Sequence, residues 1–561
     1  MMLLIPLGVF SQNRYDVVID EIMADPSPQV GLPNNEWIEL KNISANPINL
    51  QGWRIGDAGS QSGAFPNFIL MPDSFVIVCS SSALPFMSTL STAIPVSNFP
   101  SLDNGGDQLY LKSATGKTIH AVSYSDNWYQ NELKKDGGWS LEMIDTRSPC
   151  AMSSNWKAST DLKGGTPGKK NSVDAVNNDA SAPRIKNIYC SDSITVITVF
   201  DEPVDSLKAG TVSNYSIDKG LSFISATTLA PLFNQVQLKL SSPLVPNTIY
   251  HLTASNISDC KNNVIGNFNS GKIGLPAIAM DSEVVINEIL FNPRSNGFDF
   301  VEYYNRSEKI FDLAQLYAAN RNSTGVISSI KQISSSPFYI FPGEYIVITE
   351  NLASLELNYL VKDPGVVIEL PTLPSYPDDE GDVILVNAQG NVVDEVRYNE
   401  DWHFKLLVNT EGISLERIDP NAPSQLQTNW HSAASTAGFA TPGYRNSQNK
   451  ITESINASIE ITPKVFSPDN DGRDDIAVIQ YKLSGPGFVA NISIFDAQGR
   501  LVRQLVKNAT LGLTGSWNWD GLDEKGNKLP IGVYIFYTQI FNLQGKKQEF
   551  KNAIVLARML N

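Results

Sequence analysis

The sequence predicts an all-β chain built of tandem β-sandwiches, and three observations predict it. Short segments that are apolar or alternate in polarity recur between Gly, Pro, Asn and Asp turn signals along almost the whole chain, the pattern of strands at close spacing. No stretch shows the 3.6-residue apolar spacing of a convincing amphipathic helix. The stretch Asp16–Asn42, DVVIDEIMADPSPQVGLPNNEWIELKN, returns in altered form at Glu283–Asn305, EVVINEILFNPRSNGFDFVEYYN. Each version is a short apolar strand, an acidic Pro-containing loop, and an alternating strand with an aromatic residue, an acid and a terminal Asn. In EWIELKN, alternation puts Ile38 and Leu40 on one side and Trp37, Glu39 and Lys41 on the other.

With 561 residues the chain has room for roughly three to five domains. Its 42% hydrophobic and 18% charged residues fit globular domains with real cores and exclude a disordered chain. The net charge of −16, with no Lys/Arg run longer than two, argues against nucleic-acid partners, which require a basic footprint. The N-terminal run Met1–Phe10 is apolar and is followed by Ser11 and Gln12, so residues 1–12 read as the end of a secretory signal. The basic residues that open such signals are missing, which implies a start upstream of Met1. No Cys follows the run, which argues against a lipoprotein anchor. No segment reaches the ~18 apolar residues of a membrane span.

Four cysteines, Cys79, Cys150, Cys190 and Cys260, fall as one pair in each of two expected domains. In an exported chain this suggests the disulfides Cys79–Cys150 and Cys190–Cys260, one of three possible connectivities. Zinc is the poorer reading, because no CxxC or nearby His supplies ligand spacing.

Taken in order, residues 13–173 form a first module with strands VVIDEIM, EWIELKN, PINLQGWRI, SFVIVCS, GDQLYLKS, IHAVSYS and WSLEMID, closing on an irregular SNWKASTDLKGGTPGKKN. Residues 182–276 form a second, whose runs IKNIYC, SITVITVF, LSFISATTL, QVQLKL and TIYHLTA fit an Ig-like sandwich in number and length. Residues 282–448 repeat the first: GDQLYL matches GDVILV, SLEMID matches SLERID, SNW matches TNW, and TPG recurs. The offset between copies moves from 267 (284 − 17) to 263 (302 − 39) and 275 (441 − 166), so they differ by loop insertions and not by loss of strands. Residues 451–561 form a fourth module, with the strand–turn–strand ANISIFDAQGRLV and the turn-rich WNWDGLDEKGNKLPIGVYIFYTQI.

At VVIDEIMADPS…NEWIELKNIS…INLQGWRIGD the chain resembles the lamin tail domain, and VVINEILFNP…DFVEYYNRS…FDLAQL is a weaker match of the same kind. The resemblance implies an Ig-like β-sandwich used for interaction and brings no catalytic residue with it. Through FDEPVD and ISDCKNNVIGN, residues 182–276 are similar to bacterial Ig-like domains of surface-layer type. FSPDNDGRDD…ISIFDAQGRLVRQL…GSWNWDGLDEKGNKLPIGVYIF resembles the Ig-like domain of flagellar hook-capping proteins and the C-terminal sorting domains of type IX secretion. The latter implies export and attachment to the bacterial outer surface; the end FKNAIVLARMLN fits such signals only in part.

Candidate site residues are few. Asp469, Asp471 and Asp475 in DNDGRDD offer carboxylates at alternate positions around a Gly, the set that would hold a structural calcium. No Glu stands at position 12 of the loop, and a solvated acidic turn held by Asx hydrogen bonds is the simpler reading. Asp520, Asp523 and Glu524 form a second acidic turn beside Trp517 and Trp519, which share a strand face. They read as core aromatics before they read as a sugar-stacking pair. Glu39 and Glu302, beside Trp37 and Phe300, read as structural acids bonding backbone amides, and Asn42 and Asn305 as turn residues. His120, His251, His403 and His431 are scattered, and no HExxH, GxSxG or P-loop occurs. Lys163–Asn171 reads as a flexible solvated loop rather than a phosphate site.

These readings describe a non-enzymatic, exported multidomain protein. It would present sandwich surfaces for adhesion, surface-layer assembly or binding of extracellular protein or polysaccharide. The alternatives are an accessory component of a secreted hydrolase system or a cryptic hydrolase, which His403 converging with carboxylates would reveal, and a carbohydrate-binding chain working through Trp517 and Trp519.

Overall fold

A computed structural model describes residues 12–449, 458–542 and 547–558; the expected signal segment lies outside the described residues, apart from Gln12. The chain is all-β and divides into two compact units, Met1–Leu275 and Pro276–Asn561. Among the described residues the longest α-helix has seven residues (Leu352–Asn358), and no helix is long and apolar enough to cross a membrane.

The first unit begins with a six-stranded sheet in the spatial order Trp156–Ala158, Leu141–Met143, Val17–Met23, Trp37–Asn42, Phe75–Ser80, Ala93–Val96. A three-stranded sheet of Arg54–Gly56, Gly106–Lys112 and Thr118–Ser125 faces it. Between them lies one core that takes Ile38 and Leu40 from the alternating strand with Trp53, Leu109, Leu111 and Trp156. Each such side chain taken from water contributes roughly 1.5–3 kcal/mol. Trp37 points the other way, into a small cluster with Met23, Leu32, Cys79 and Met87, as the period of two requires. The same unit continues with a four-stranded sheet (Ile185–Asp192, Thr195–Phe200, Gln235–Leu240, Phe223–Leu229) and a three-stranded one (Tyr215–Ile217, Tyr250–Ala254, Ser270–Ile273).

The second unit repeats the first architecture: Val367–Glu369, Tyr345–Thr349, Phe300–Asn305, Val284–Leu290, Leu415–Arg417 and Trp430–Ser432 form the six-stranded sheet. Its facing sheet has four strands, Ile327–Gln332, Leu316–Arg321, Glu380–Asn387 and Val392–Asn399. The added strand is an insertion. The pair Ile48–Leu70 corresponds to Phe311–Ile340, so the offset grows from 263 (311 − 48) to 270 (340 − 70). The first copy has only the bridge Gly56–Gln61 in the shorter segment. The unit ends with sheets of three and five strands; Trp519 is buried there among Phe466, Tyr534 and Phe536.

Asn42 and Asn305 act alike at the ends of matched strands. Asn42 Nδ2 donates to the carbonyls of Asn46 (2.8 Å) and Leu70 (2.9 Å), and its Oδ1 accepts from Ser44 N and Oγ. Asn305 makes the same four bonds to Lys309, Ile340 and Ser307.

The cysteines pair otherwise than expected. The disulfide joins Cys150 to Cys260, with Cα atoms 6.0 Å apart, so it ties the first sandwich to the second and closes neither. The expected Cys79–Cys150 and Cys190–Cys260 bonds fail for a physical reason. Cys79 stands mid-strand between Trp37 and Pro95, in an apolar pocket that pushes its thiol up to about 11. Cys150 lies in the loop beyond Leu141–Met143, and Cys190 Sγ donates to the Gly274 carbonyl at 3.5 Å. Arg14 braces the same junction, donating to the Val204 carbonyl at 2.9 Å and lying over the Phe233 ring.

Candidate functional site

Both copies hold a row of three glutamates on adjacent strands. In the first, Glu21 pairs in register with Glu39 on one side and Glu142 on the other; in the second, Glu288 pairs with Glu302 and Glu416. All six are 0% exposed. The central strand slips by one residue at the row, between Ile19 and Glu21 and again between Ile286 and Glu288. This bulge makes Asp20 or Asn287 an extra residue, so two polar side chains crowd against the acid of the neighbouring strand.

The Thr-Pro-Gly segment closes over each row as a clasp. In the second copy Thr441 N donates to Glu288 Oε1 (2.8 Å) and Gly443 N to Glu302 Oε2 (2.7 Å). Asn446 Nδ2 donates to the carbonyls of Asn287 (2.9 Å) and Arg417 (3.0 Å). The first copy repeats this with Thr166 N to Glu21 Oε1 (2.8 Å), Gly168 N to Glu39 Oε2, and Asn171 Nδ2 to the carbonyls of Asp20 and Met143. Glu39 and Glu302 therefore accept backbone amides, as their position suggested. Lys163–Asn171 is corrected from a solvated loop: Thr166 is 2% and Asn171 7% exposed, because the carboxylates draw the loop's amides inward. It receives a carboxylate where the Lys-rich composition had raised the idea of a phosphate.

The row calls for a proton between two of its acids. Thr441 Oγ1 lies 2.9 Å from Glu416 Oε1 and 3.0 Å from Glu288 Oε2, and a hydroxyl has one proton to give. Glu416 also accepts from Ser447 Oγ and Gln448 N, both at 2.8 Å, and Glu288 from Thr441 N and Ser414 Oγ, so each acid has two donors besides the shared hydroxyl. Both contacts are hydrogen bonds at once only when one of the two acids carries a proton. Burial, followed by repulsion from Glu416, raises the Glu288 carboxyl to about 8; burial and Glu142 do the same to Glu21. Glu39 and Glu302 are likewise held well above the carboxylate range by burial, and then by Glu21 and Glu288.

The copies satisfy one buried amide differently. Ile19 N donates to His120 Nδ1 at 2.9 Å, and burial drives that histidine down to about 3, hence neutral. At the matched place Ile286 N donates to Asp394 Oδ2 at 2.8 Å, and this acid is paired with Arg417, itself 0% exposed. Where the second copy has Arg417 the first has Met143.

The other histidines meet no such partners. His403 Nδ1 lies 2.9 Å from Ser432 Oγ and its ring packs on Phe291, and among the described residues no carboxylate is bonded to it; burial lowers it to about 4. His431 Nδ1 faces the Ser432 carbonyl, and His251 lies near Asp218 at the surface. Trp517 packs half-buried and tilted by 30° against Tyr481, with centroids 4.8 Å apart. Asp520 pairs with Arg503 at 2.7 Å, Asp523 caps its own turn through Asn527, and Glu524 accepts from Gln504 N.

Asp469, Asp471 and Asp475 each bring a carboxylate oxygen within 4.8 Å of the others. Asp475 accepts from the amides of Asp469 (3.1 Å), Asn470 (2.6 Å) and Gly472 (2.8 Å), and Asp471 from Arg473 N (2.8 Å).

The inserted hairpin of the second copy builds one accessible polar feature, a cleft of about 820 Å³. Its lining includes the two-pronged pair Arg321 Nε–Glu395 Oε1 (2.6 Å) and Nη2–Oε2 (2.8 Å), and Arg321 Nη1 pins the hairpin tip at the Gly325 carbonyl. Asp382, Arg397 and Gln425 also line it, and the Gln425 amide is bonded at both ends to the Arg397 backbone.

The sequence named Glu39, Glu302, SLE and TPG as repeat landmarks without seeing that they meet. Glu21 and Glu288 were missed because they lie in apolar strands and only the bulge turns them inward.

Comparisons with known proteins place the modules. A model described as Lamin Tail Domain matches residues 11–126 and 279–400, and one described as CHU_C Type IX secretion signal domain matches residues 460–556. Both lamin tail matches stop before the Thr-Pro-Gly clasp that completes the sheet. A comparison with curated proteins gives no match. Among solved structures, the N-terminal part of the bacterial S-layer protein SbsC is 18% identical with a TM-score of 0.16; the alignment covers 30% of this chain and 40% of that one. A DUF4876 family protein from Bacteroides thetaiotaomicron is 14% identical with a TM-score of 0.18, over 37% of this chain and 84% of that one. Likenesses so distant bear on no function. The chain is an exported protein of the bacterial outer surface that carries two lamin tail domains and a C-terminal type IX secretion signal domain.

Proposed function

We propose that this is a non-enzymatic surface protein that captures an extracellular polymer, a polysaccharide or a protein, at the polar cleft of the second lamin tail domain. The observation that carries the reading is the hairpin turn at residues 321–325 that leads into the inserted strand Ile327–Gln332: the copies share their buried clasp, and this turn forms one side of a cleft of hydrogen-bonding groups. The Arg321–Glu395 pair and the Arg397, Asp382 and Gln425 side chains suit hydroxyl- and amide-rich ligands, since planar paired donors and acceptors recognise such groups. The buried glutamate rows are scaffold, which suits a binding role better than catalysis.

The test is binding of the full chain to arrays of glycans and extracellular proteins, compared with Arg397→Ala and Gln425→Ala. Binding lost in both variants and retained in Trp517→Ala supports the cleft. Binding lost in Trp517→Ala alone moves the ligand to the C-terminal module and refutes it. We also propose that Asp469, Asp471 and Asp475 hold a structural calcium. The convergence of their oxygens favours this, and no change in melting temperature on calcium titration would remove it.

A further inference from the structure

The two copies differ at one buried polar contact. In the second, Asn287 Nδ2 donates to Glu302 Oε1 at 2.7 Å. In the first, Asp20 takes the place of Asn287 at the same offset of 267 as the strand start (287 − 20, 284 − 17), and Glu39 the place of Glu302. A carboxylate has no proton to offer another carboxylate. The two atoms left without a partner are Asp20 Oδ1 and Glu39 Oε1, in residues 1% and 0% exposed. Two buried acids on adjacent strands, each with an orphan oxygen and Asp20 among the charges that act on Glu39, are costly as anions unless one is neutral.

We propose that the first lamin tail domain binds one proton between Asp20 Oδ1 and Glu39 Oε1, in place of the Asn287–Glu302 amide bond of the second domain, and that this gives the first domain a pH response below neutrality beyond the one the two domains share. The proton is covalently held by one carboxyl and hydrogen-bonded to the other. It is additional to the proton shared through Thr166 and Thr441. The charged groups facing Asp20 are Lys41 on the neighbouring strand, Glu142 on the other, and Asp174 and Asp73 from loops. Those facing Glu39 are Glu21, Asp20 and Glu142. Lys41, which also pairs with Asp73 at 3.3 Å, is the one cation among these groups and opposes protonation of Asp20. Burial lifts Asp20 to about 7 in the folded domain, from the ordinary 3.8, against the pull of Lys41 and with Glu142, Asp174 and Asp73 adding to the rise. A raised folded value means that the stabilisation is complete below about pH 4 and is lost as pH rises through 7.

The experiment is hydrogen exchange by mass spectrometry on the full chain between pH 5 and 8, corrected for intrinsic rates. It follows peptides covering residues 12–42 and 159–173 against 279–305 and 435–448. In the native chain the opening constant of the first set should rise by up to about tenfold per pH unit between pH 5 and 7, beyond any rise in the second set. Asp20→Asn should abolish this excess, because the amide supplies the missing donor. The mirror variant Asn287→Asp should create the excess in the second domain, which keeps the test decisive if one variant folds poorly. The proposal is overturned if Asp20→Asn leaves the excess unchanged. It is also overturned if Asn287→Asp adds no pH dependence. Elemental analysis finding a stoichiometric metal that Asp20→Asn removes would replace the proton by a cation and overturn it too.

Discussion

Thr441 and Glu288 are joined twice: the backbone amide of Thr441 reaches Glu288 Oε1 at 2.8 Å, and its hydroxyl stands 3.0 Å from Glu288 Oε2. One threonine thus holds both oxygens of a buried acid, and its hydroxyl also serves Glu416. Thr441→Val keeps the volume and the amide but removes the hydroxyl, leaving two buried carboxyls short of a partner. It should cost about 1–3 kcal/mol in chemical unfolding of the full chain, while Thr441→Ser should recover most of that. Equal loss in the two variants would show that the methyl, and not the hydroxyl, matters.

The raised Glu288 carboxyl predicts a pH response. Its folded value of about 8 lies above its ordinary 4.5, so the folded state binds more protons between these values. Stability from this group is complete below about pH 4.5 and falls as pH rises through 8. The unit Pro276–Asn561 should therefore melt at lower temperature at pH 9 than at pH 6, and Glu288→Gln should flatten that slope. A slope that steepens in Glu288→Gln would contradict the assignment.

The Cys150–Cys260 bond spans 110 residues, and a bridge of that reach restricts the unfolded chain strongly. Cys260→Ser should destabilise the unit Met1–Leu275 by about 2–4 kcal/mol and leave Pro276–Asn561 unchanged. Non-reducing peptide mapping should recover the 150–260 pair, with Cys79 alkylated only after unfolding. A Cys79–Cys150 peptide would sink this connectivity.

Strand alternation made the all-β fold legible, and the repeat was visible because SLE and TPG survive in both copies. These motifs persist because they meet: Glu142 and Thr166, and Glu416 and Thr441, are hydrogen-bonded across 24 and 25 residues. What stayed hidden depends on register. Glu21 and Glu288 sit in strands that look wholly apolar-facing until a one-residue bulge turns them toward Glu39 and Glu302. The disulfide was misread because each cysteine was assumed to pair inside its own sandwich, whereas Cys150 and Cys260 sit on loops where two sandwiches abut. The cleft was signalled only as a change in offset between the copies, with no hint of which groups line it.

The exchange of His120 and Met143 for Asp394 and Arg417 gives a test of how the two domains solve one problem. Ile19 N and Ile286 N each need an acceptor inside the sheet, and a neutral histidine provides it without charge. An aspartate provides it only with a cation beside it, and Arg417 supplies that cation while also donating to the Ile286 carbonyl at 2.6 Å. Arg417→Met should therefore strand a buried anion and cost about 3–5 kcal/mol. Asp394→His should also destabilise, since Arg417 is left without its carboxylate. The double variant Asp394→His/Arg417→Met copies the first domain's solution and should be more stable than Arg417→Met alone, a strongly non-additive result in a double-mutant cycle of unfolding free energies. Simple additivity would mean that the two pairs are not alternative solutions to one buried amide.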